Sequence, residues 1–176
     1  MKYIFLFLKG TLNVIEIIEN VICIIGIWLV NILVFLSVLN RYFLHFPIMW
    51  LNDLALYCFI FFVFVSIALT TRENEHISVG IFRQVLFKGK PKADTIYSIF
   101  LNIIAIISVS IFFPITVKFT LRAIKYPEYS TLLRWFNTSW LAIGMFFTII
   151  LIIIHLVTLL AKDIGELKKL IKFNSK

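Results

Sequence analysis

Four long apolar runs without a charged side chain constrain this sequence more than any other feature. Each run has at least 18 residues free of Asp, Glu, Lys and Arg: Val21–Leu39, Leu54–Thr71, Thr95–Val117 and Trp135–Ala161. A helix needs about 17–25 residues to cross about 30 Å of hydrocarbon, and it satisfies its backbone hydrogen bonds internally. The sequence therefore predicts an all-α integral membrane protein, with one membrane domain over residues 1–176 and four transmembrane helices at about 17–39, 54–71, 95–117 and 135–161.

The composition excludes most soluble classes of protein. Apolar residues make up 61% of the 176 and charged residues 15%, against about 45–50% and about 25% in soluble domains. The chain is therefore too apolar for a soluble enzyme or a disordered protein. The net charge is +8, but the basic residues flank the apolar runs, which indicates membrane lipid as a partner and not nucleic acid.

The distribution of Lys and Arg predicts the orientation. Twelve of the seventeen lie in the N-terminal stretch, in the loop between spans two and three, and in the C-terminal tail. Basic residues are enriched on the cytoplasmic side of membrane proteins. Both termini and the middle loop are therefore expected in the cytoplasm.

Two segments beside the spans have the periodicity of amphipathic helices. Apolar residues share one face of residues 3–16 and of residues 77–88, opposite charged and amide side chains. Both segments are predicted to be interfacial helices. The first has the alternative of continuing into the first span, and the second that of a solvated basic loop with some apolar residues.

No catalytic, cofactor-binding or metal-binding constellation is predicted, so the chain is not expected to be an enzyme. The sequence has no Gly-rich phosphate loop, nucleophile elbow or zinc-protease motif. Ion-coupled transporters place ionisable groups or broken helices near the membrane midplane, whereas the four runs here contain no charge. Glu16 and Glu19, just before the first run, are expected on a solvated or interfacial face.

A haem-binding or structural membrane anchor of a redox complex is the alternative from another class. A haem b site needs two histidines that face each other inside the bundle, and His76 and His155 are the candidates. His76 lies among charged residues at the predicted surface, which is unfavourable for that geometry. The other interpretation of both is a hydrogen-bonded interfacial histidine.

Two sets of polar residues lie at the predicted outer ends of the spans. In the first hairpin, Asn40 and Arg41 end one span, while Trp50 and Asp53 open the next. Asp53 suits a helix N-terminus and is expected to pair with Arg41. The loop before span four carries four basic residues, which either contact lipid headgroups or form a docking surface for a periplasmic protein: Lys118, Arg122, Lys125 and Arg134.

Three motifs in order resemble the small membrane subunit of tripartite ATP-independent periplasmic (TRAP) transporters. They are Asn40-Arg41-Tyr42, Trp50 with Asp53 three positions on, and Arg72-x-x-x-His76-Ile-x-Val. The resemblance covers most of the chain and is closest to the sialic-acid branch of the family. The sequence departs from it at Asn52, where many members carry a first acidic residue, and at Ser66 and Ala142, where many carry Gly and Pro.

The resemblance implies a function that the residues alone do not. It implies a non-catalytic subunit in the bacterial inner membrane, without a cofactor. This subunit would enlarge the static scaffold of a large multi-span elevator subunit and help to dock a periplasmic substrate-binding protein. The substrate would be an organic acid such as sialic acid, taken up with sodium. The hairpin-end residues would be structural: Asn40, Arg41, Trp50, Asp53, Arg72 and His76.

Overall fold

A computed structural model describes residues 2–73 and 91–174 and contains four long helices. They are α1 (Lys2–Leu39), α2 (Trp50–Glu73), α3 (Pro91–Lys125) and α4 (Ser139–Asn174), with a π-helical turn at Asn40–Leu44. The two described ranges contain no strand beyond an isolated bridge between Tyr129 and Asn137. Each helix contains a segment long and apolar enough to cross a membrane. The prediction of an all-α membrane protein with four spans is therefore confirmed.

Helix α1 is longer than a membrane span. It has 38 residues, about 57 Å at 1.5 Å per residue, against about 30 Å of hydrocarbon. The predicted amphipathic segment 3–16 and the first span are thus one uninterrupted helix. The second predicted amphipathic segment, 77–88, lies outside the described residues.

The helices pack as a row in the order α1, α2, α4, α3. Helix α1 packs on α2, α2 packs on α4, and α4 packs on α3. Each hairpin of neighbouring helices, α1–α2 and α3–α4, is therefore joined to the other through its second helix. Helices α1 and α3 form the two edges of the row.

Two glycines allow the inner helix α2 to approach its neighbours. A Cβ on Gly144 of α4 would lie 2.8 Å from Phe61 Cε1, and a Cβ on Gly26 of α1 would lie 3.0 Å from Phe62 Cδ2. Successive residues of a helix are about 100° apart, so Phe61 and Phe62 reach different neighbours. The two rings fill the space that the missing side chains leave.

The most enclosed side chains lie on the two inner helices. Ala68 and Thr71 of α2 and Leu156 of α4 are almost fully enclosed. On the edge helices, large apolar side chains such as Trp28 and Phe112 are more than half exposed. Apolar surface of this extent is typical of a protein that contacts lipid or a partner chain.

The row has two polar ends, which we call the hairpin end and the terminal end. The hairpin end contains the α1–α2 connection and residues 126–138, and a hydrogen bond from Ser130 to Asp53 joins residues 126–138 to the start of α2. The terminal end contains Glu19, Arg72 and His155. Consecutive helices therefore run in opposite directions.

Candidate functional site

The connection between α1 and α2 is held by Asn40. Its side-chain amide donates to the carbonyl of Phe46 at 3.0 Å and accepts from the Phe46 N–H at 3.2 Å. His45 follows the π-helical turn with φ 54°, and its N–H donates to the Asn40 carbonyl at 2.7 Å. This left-handed residue is unusual for a non-glycine and reverses the chain before Pro47. Trp50 then begins α2, about half exposed.

Arg41 and Asp53 do not form the expected ion pair in the described part of the chain. Asp53 accepts a hydrogen bond from Ser130 Oγ at 3.1 Å. The guanidinium carbon of Arg41 lies 5.7 Å from the centre of the Tyr42 ring. The expectation was wrong because Asp53 faces the second hairpin, whereas the π-helical turn leaves Arg41 beside Tyr42.

Residues 126–138 fold into an ordered cap on the hairpin end. Phe136 is buried and stacks on Tyr57 of α2, with ring centroids 4.2 Å apart and planes at 6°. Ser130 Oγ accepts from the Leu133 N–H at 3.3 Å as well as donating to Asp53. The cap thus joins the α3–α4 connection to α2.

The cap also explains why α4 begins later than the sequence predicts. The predicted span starts at 135, whereas the helix starts at Ser139. Asn137 Oδ1 accepts from the Ser139 N–H at 2.9 Å, which is the bond of an Asx turn that begins a helix. The apolar Trp135 and Phe136 extended the charge-free run, but they belong to the cap.

The four basic residues predicted in the loop before span four are all exposed, but only Arg134 lies in the connection, because α3 extends to Lys125. Lys118, Arg122 and Lys125 follow one another at spacings of four and three, so they share one face of the last turns of α3. Arg122 also lines a cleft of about 640 Å³ whose wall includes Glu128. Arg134 lies on the cap and is not part of that cleft. The structure thus brings three of the four residues onto one surface.

At the terminal end, Glu19 joins three helices. Its side chain is 3% exposed, and its Oε1 lies 2.9 Å from His155 Nε2 of α4. Its Oε2 accepts from Arg72 Nη1 of α2 at 3.4 Å. The expectation that Glu19 lies on a solvated face is therefore corrected, because both oxygens have partners on other helices.

Arg72 extends this cluster toward the solvent. Its Nη2 lies 3.2 Å from Glu73 Oε1 and 3.9 Å from Glu16 Oε1, and both of those carboxylates are about half exposed. Glu16 thus keeps the exposure that the sequence predicts. His76, the other residue of the Arg72 motif, lies outside the described residues.

A second polar contact joins α3 to α4 at the same end. Asn102 Nδ2 donates to Asp163 Oδ2 at 2.8 Å, and Asn102 is 5% exposed. Sequence reasoning missed the partners of Glu19 and Asn102, which are 136 and 61 positions away. The sequence feature that could have indicated the cluster at the terminal end is the position of Glu19 and Arg72, each directly beside a charge-free run.

His155 is not arranged as a haem ligand. Its Nε2 faces the Glu19 carboxylate, so an iron at that nitrogen would displace this contact. The contact with Glu19 is therefore unfavourable for His155 as a haem ligand, and the other candidate, His76, lies outside the described residues.

Comparison with known proteins identifies the family. A comparison with curated proteins gives no significant match. The family model described as "Tripartite ATP-independent periplasmic transporters, DctQ component" matches residues 30–163, which is more than half of the chain. Those residues include the hairpin end, Arg72 and His155. The chain therefore belongs to the DctQ family and is the small membrane subunit of a TRAP transporter, a multi-pass protein of the inner membrane that works with a large membrane subunit and a substrate-binding protein.

Proposed function

We propose that this subunit is a non-catalytic scaffold that packs beside the large subunit and enlarges its static part. The observation that carries this proposal is the position of the polar groups in the row of helices. Glu19, Arg72 and Asp163 lie at one end and Asp53 at the other, with charge-free runs between them. Sodium coupling needs ionisable groups or broken helices near the midplane, so we assign coupling and transport to the large subunit.

The edges of the row offer the surface for this contact. On α1, Trp28 and Phe35 are 66% and 61% exposed, and the apolar residues of α3 are similarly open. Helices in a membrane associate through packing and interhelical hydrogen bonds. Because the polar side chains of the terminal end are engaged within the row, we expect apolar packing to dominate the contact with the large subunit.

Both termini lie in the cytoplasm in this proposal, and the hairpin end faces the periplasm. The support is the position of twelve of the seventeen basic residues on the terminal side. The cap and the basic face of α3 would then meet the substrate-binding protein.

The basic face of α3 and Arg134 are the proposed docking residues. Their charges are exposed at the hairpin end, where few other charged residues lie. Charge complementarity raises the rate of encounter between proteins and is screened by salt. The alternative, contact with lipid headgroups, predicts no effect on the binding protein.

Reversal of charge tests the docking proposal. We expect the triple variant Arg122→Glu, Lys125→Glu, Arg134→Glu to slow uptake at low concentrations of binding protein and to have less effect at saturation. The control is Lys162→Glu, Lys168→Glu, Lys169→Glu at the terminal end, which changes the same net charge. Uptake that is unchanged across the whole titration would leave only the lipid contact.

The proposed substrate is an organic acid, specifically a sialic acid, taken up with sodium. The support is the resemblance of the chain to the sialic-acid branch of the family. We expect cells with the complete transporter to accumulate labelled sialic acid only with sodium present. Accumulation of another organic acid would correct the substrate and leave the scaffold proposal intact.

A further inference from the structure

We propose that the cleft at the hairpin end of α1 and α2 binds one phospholipid molecule, with the phosphate at Arg41 and an acyl chain between the two helices. This proposal does not rest on the proposed function or on the orientation of the chain. The cleft has a volume of about 920 Å³. It is lined by residues of both helices and of the connection between them.

The cleft runs along the axis of α1. Its wall on α1 extends from Val30 through Val34 to Val38, two turns of helix or about 12 Å. Leu56 and Phe59 of α2 form the opposite wall, and both are about half exposed. These side chains are apolar, so this part of the cleft suits a hydrocarbon chain.

The mouth of the cleft is polar and carries a cation. Ser37, Asn40, Arg41 and Asn52 line it. Three of these are already engaged, because Ser37 donates to Asn52 and Asn40 bonds with the backbone of Phe46. Arg41 contacts the Tyr42 ring, and no described carboxylate lies within 4 Å of its guanidinium. Its N–H groups are therefore free for an anion at the level of the lipid headgroups.

The change from a polar, cationic mouth to apolar walls along the cleft identifies the class of ligand. A cation at the interface followed by an apolar groove toward the membrane centre matches an amphiphile with an anionic head. A guanidinium also suits the planar, bidentate recognition of phosphate. The alternative occupant is a helix of the large subunit, and the experiment below distinguishes it from a phospholipid.

Lipid titration of four variants tests this site. The full-length chain, purified with its co-purifying large subunit and stripped of lipid, is titrated with dioleoyl phosphatidylglycerol and examined by native mass spectrometry. Arg41→Gln is paired with Lys169→Gln, which removes the same charge at the other end. Val34→Trp, which fills the cleft, is paired with Ile32→Trp, an exposed α1 position outside it.

We expect one tightly bound phospholipid in the unmodified protein and in both controls. Arg41→Gln should weaken binding about tenfold or more, since a hydrogen bond to a charged group contributes at least that much, and Val34→Trp should abolish it. Dioleoylglycerol, which lacks the phosphate, should bind weakly and equally to the unmodified protein and Arg41→Gln.

Three results would overturn the proposal. They are absence of a one-to-one adduct, equal affinity in all variants, and equal binding of the two lipids. Cross-linking of Val34→Cys to the large subunit while no lipid is bound would assign the cleft to a protein helix instead.

Discussion

The Glu19 carboxylate is stabilised by one partner on each oxygen, His155 on Oε1 and Arg72 on Oε2. A buried charge is costly unless it is paired and hydrogen-bonded. Removing one member of a buried ion pair leaves the charge of the other member unpaired inside the protein. This loss of stability is larger than the stabilisation that the intact pair provides. Glu73 bonds the same guanidinium at 3.2 Å but is about half exposed, so water replaces its contribution.

This difference in burial gives a paired prediction. Glu19→Gln should lower the free energy of unfolding by about 3 kcal/mol, whereas Glu73→Gln should lower it by less than about 1 kcal/mol. The measurement is unfolding of the purified subunit by a denaturing detergent. Equal losses for the two variants would mean that the Glu19 cluster does not join the helices.

His45 is the other residue whose local geometry makes a prediction. Its φ of 54° is disfavoured for β-branched side chains, since a left-handed residue costs roughly 1–2 kcal/mol when Cβ crowds the following carbonyl. His45→Val should therefore destabilise the subunit by about 1 kcal/mol or more, while His45→Gly should be neutral or stabilising. A larger loss for Gly than for Val in the same unfolding assay would contradict this account of the turn.

At the scale of helices, α2 lies between α1 and α4, and its Phe61 and Phe62 pack against glycines on these two neighbours. The contact of α2 with α4 is the only extensive one between the two hairpins in the described part of the chain. The fit at Gly144 is the tighter of the two. The α2–α4 contact is therefore the most sensitive to added volume.

Substitution of this glycine tests that conclusion. Gly144→Val should cost about 1–3 kcal/mol, because the new side chain overlaps Phe61 and overpacking has costs of this size. Gly165→Val, on the same helix with open space around its Cβ, should change stability by no more than about 0.5 kcal/mol. A similar effect at both positions would show that helix propensity and not the α2–α4 contact decides the result.

The sequence predicts helices well here and contacts between them poorly. The charge-free runs indicate all four helices, since hydrocarbon requires continuous apolar segments. The start of α4 was misplaced because the cap buries Phe136, an apolar residue, outside a helix. The burial of Glu19 was missed because its partner His155 is 136 positions away, and local periodicity carries no information about that distance.

For the whole molecule, the four antiparallel helices of the described residues place the terminal end on one side of the membrane and the hairpin end on the other. The basic residues predict the terminal end in the cytoplasm. With Cys23 and Cys58 replaced by Ser, an impermeant thiol reagent added to intact spheroplasts should label Thr131→Cys and not Lys169→Cys. The reverse pattern would invert the orientation and exclude the cap from contact with a periplasmic protein.

Uptake by reconstituted liposomes tests the central claim most directly. Liposomes with a sodium gradient, the binding protein and labelled substrate are prepared with this subunit alone, with the large subunit alone, or with both. Because we assign ion coupling to the large subunit, we predict no uptake by this subunit alone and sodium-dependent uptake when both are present. Sodium-dependent uptake by this subunit without the large one would contradict its assignment as a scaffold.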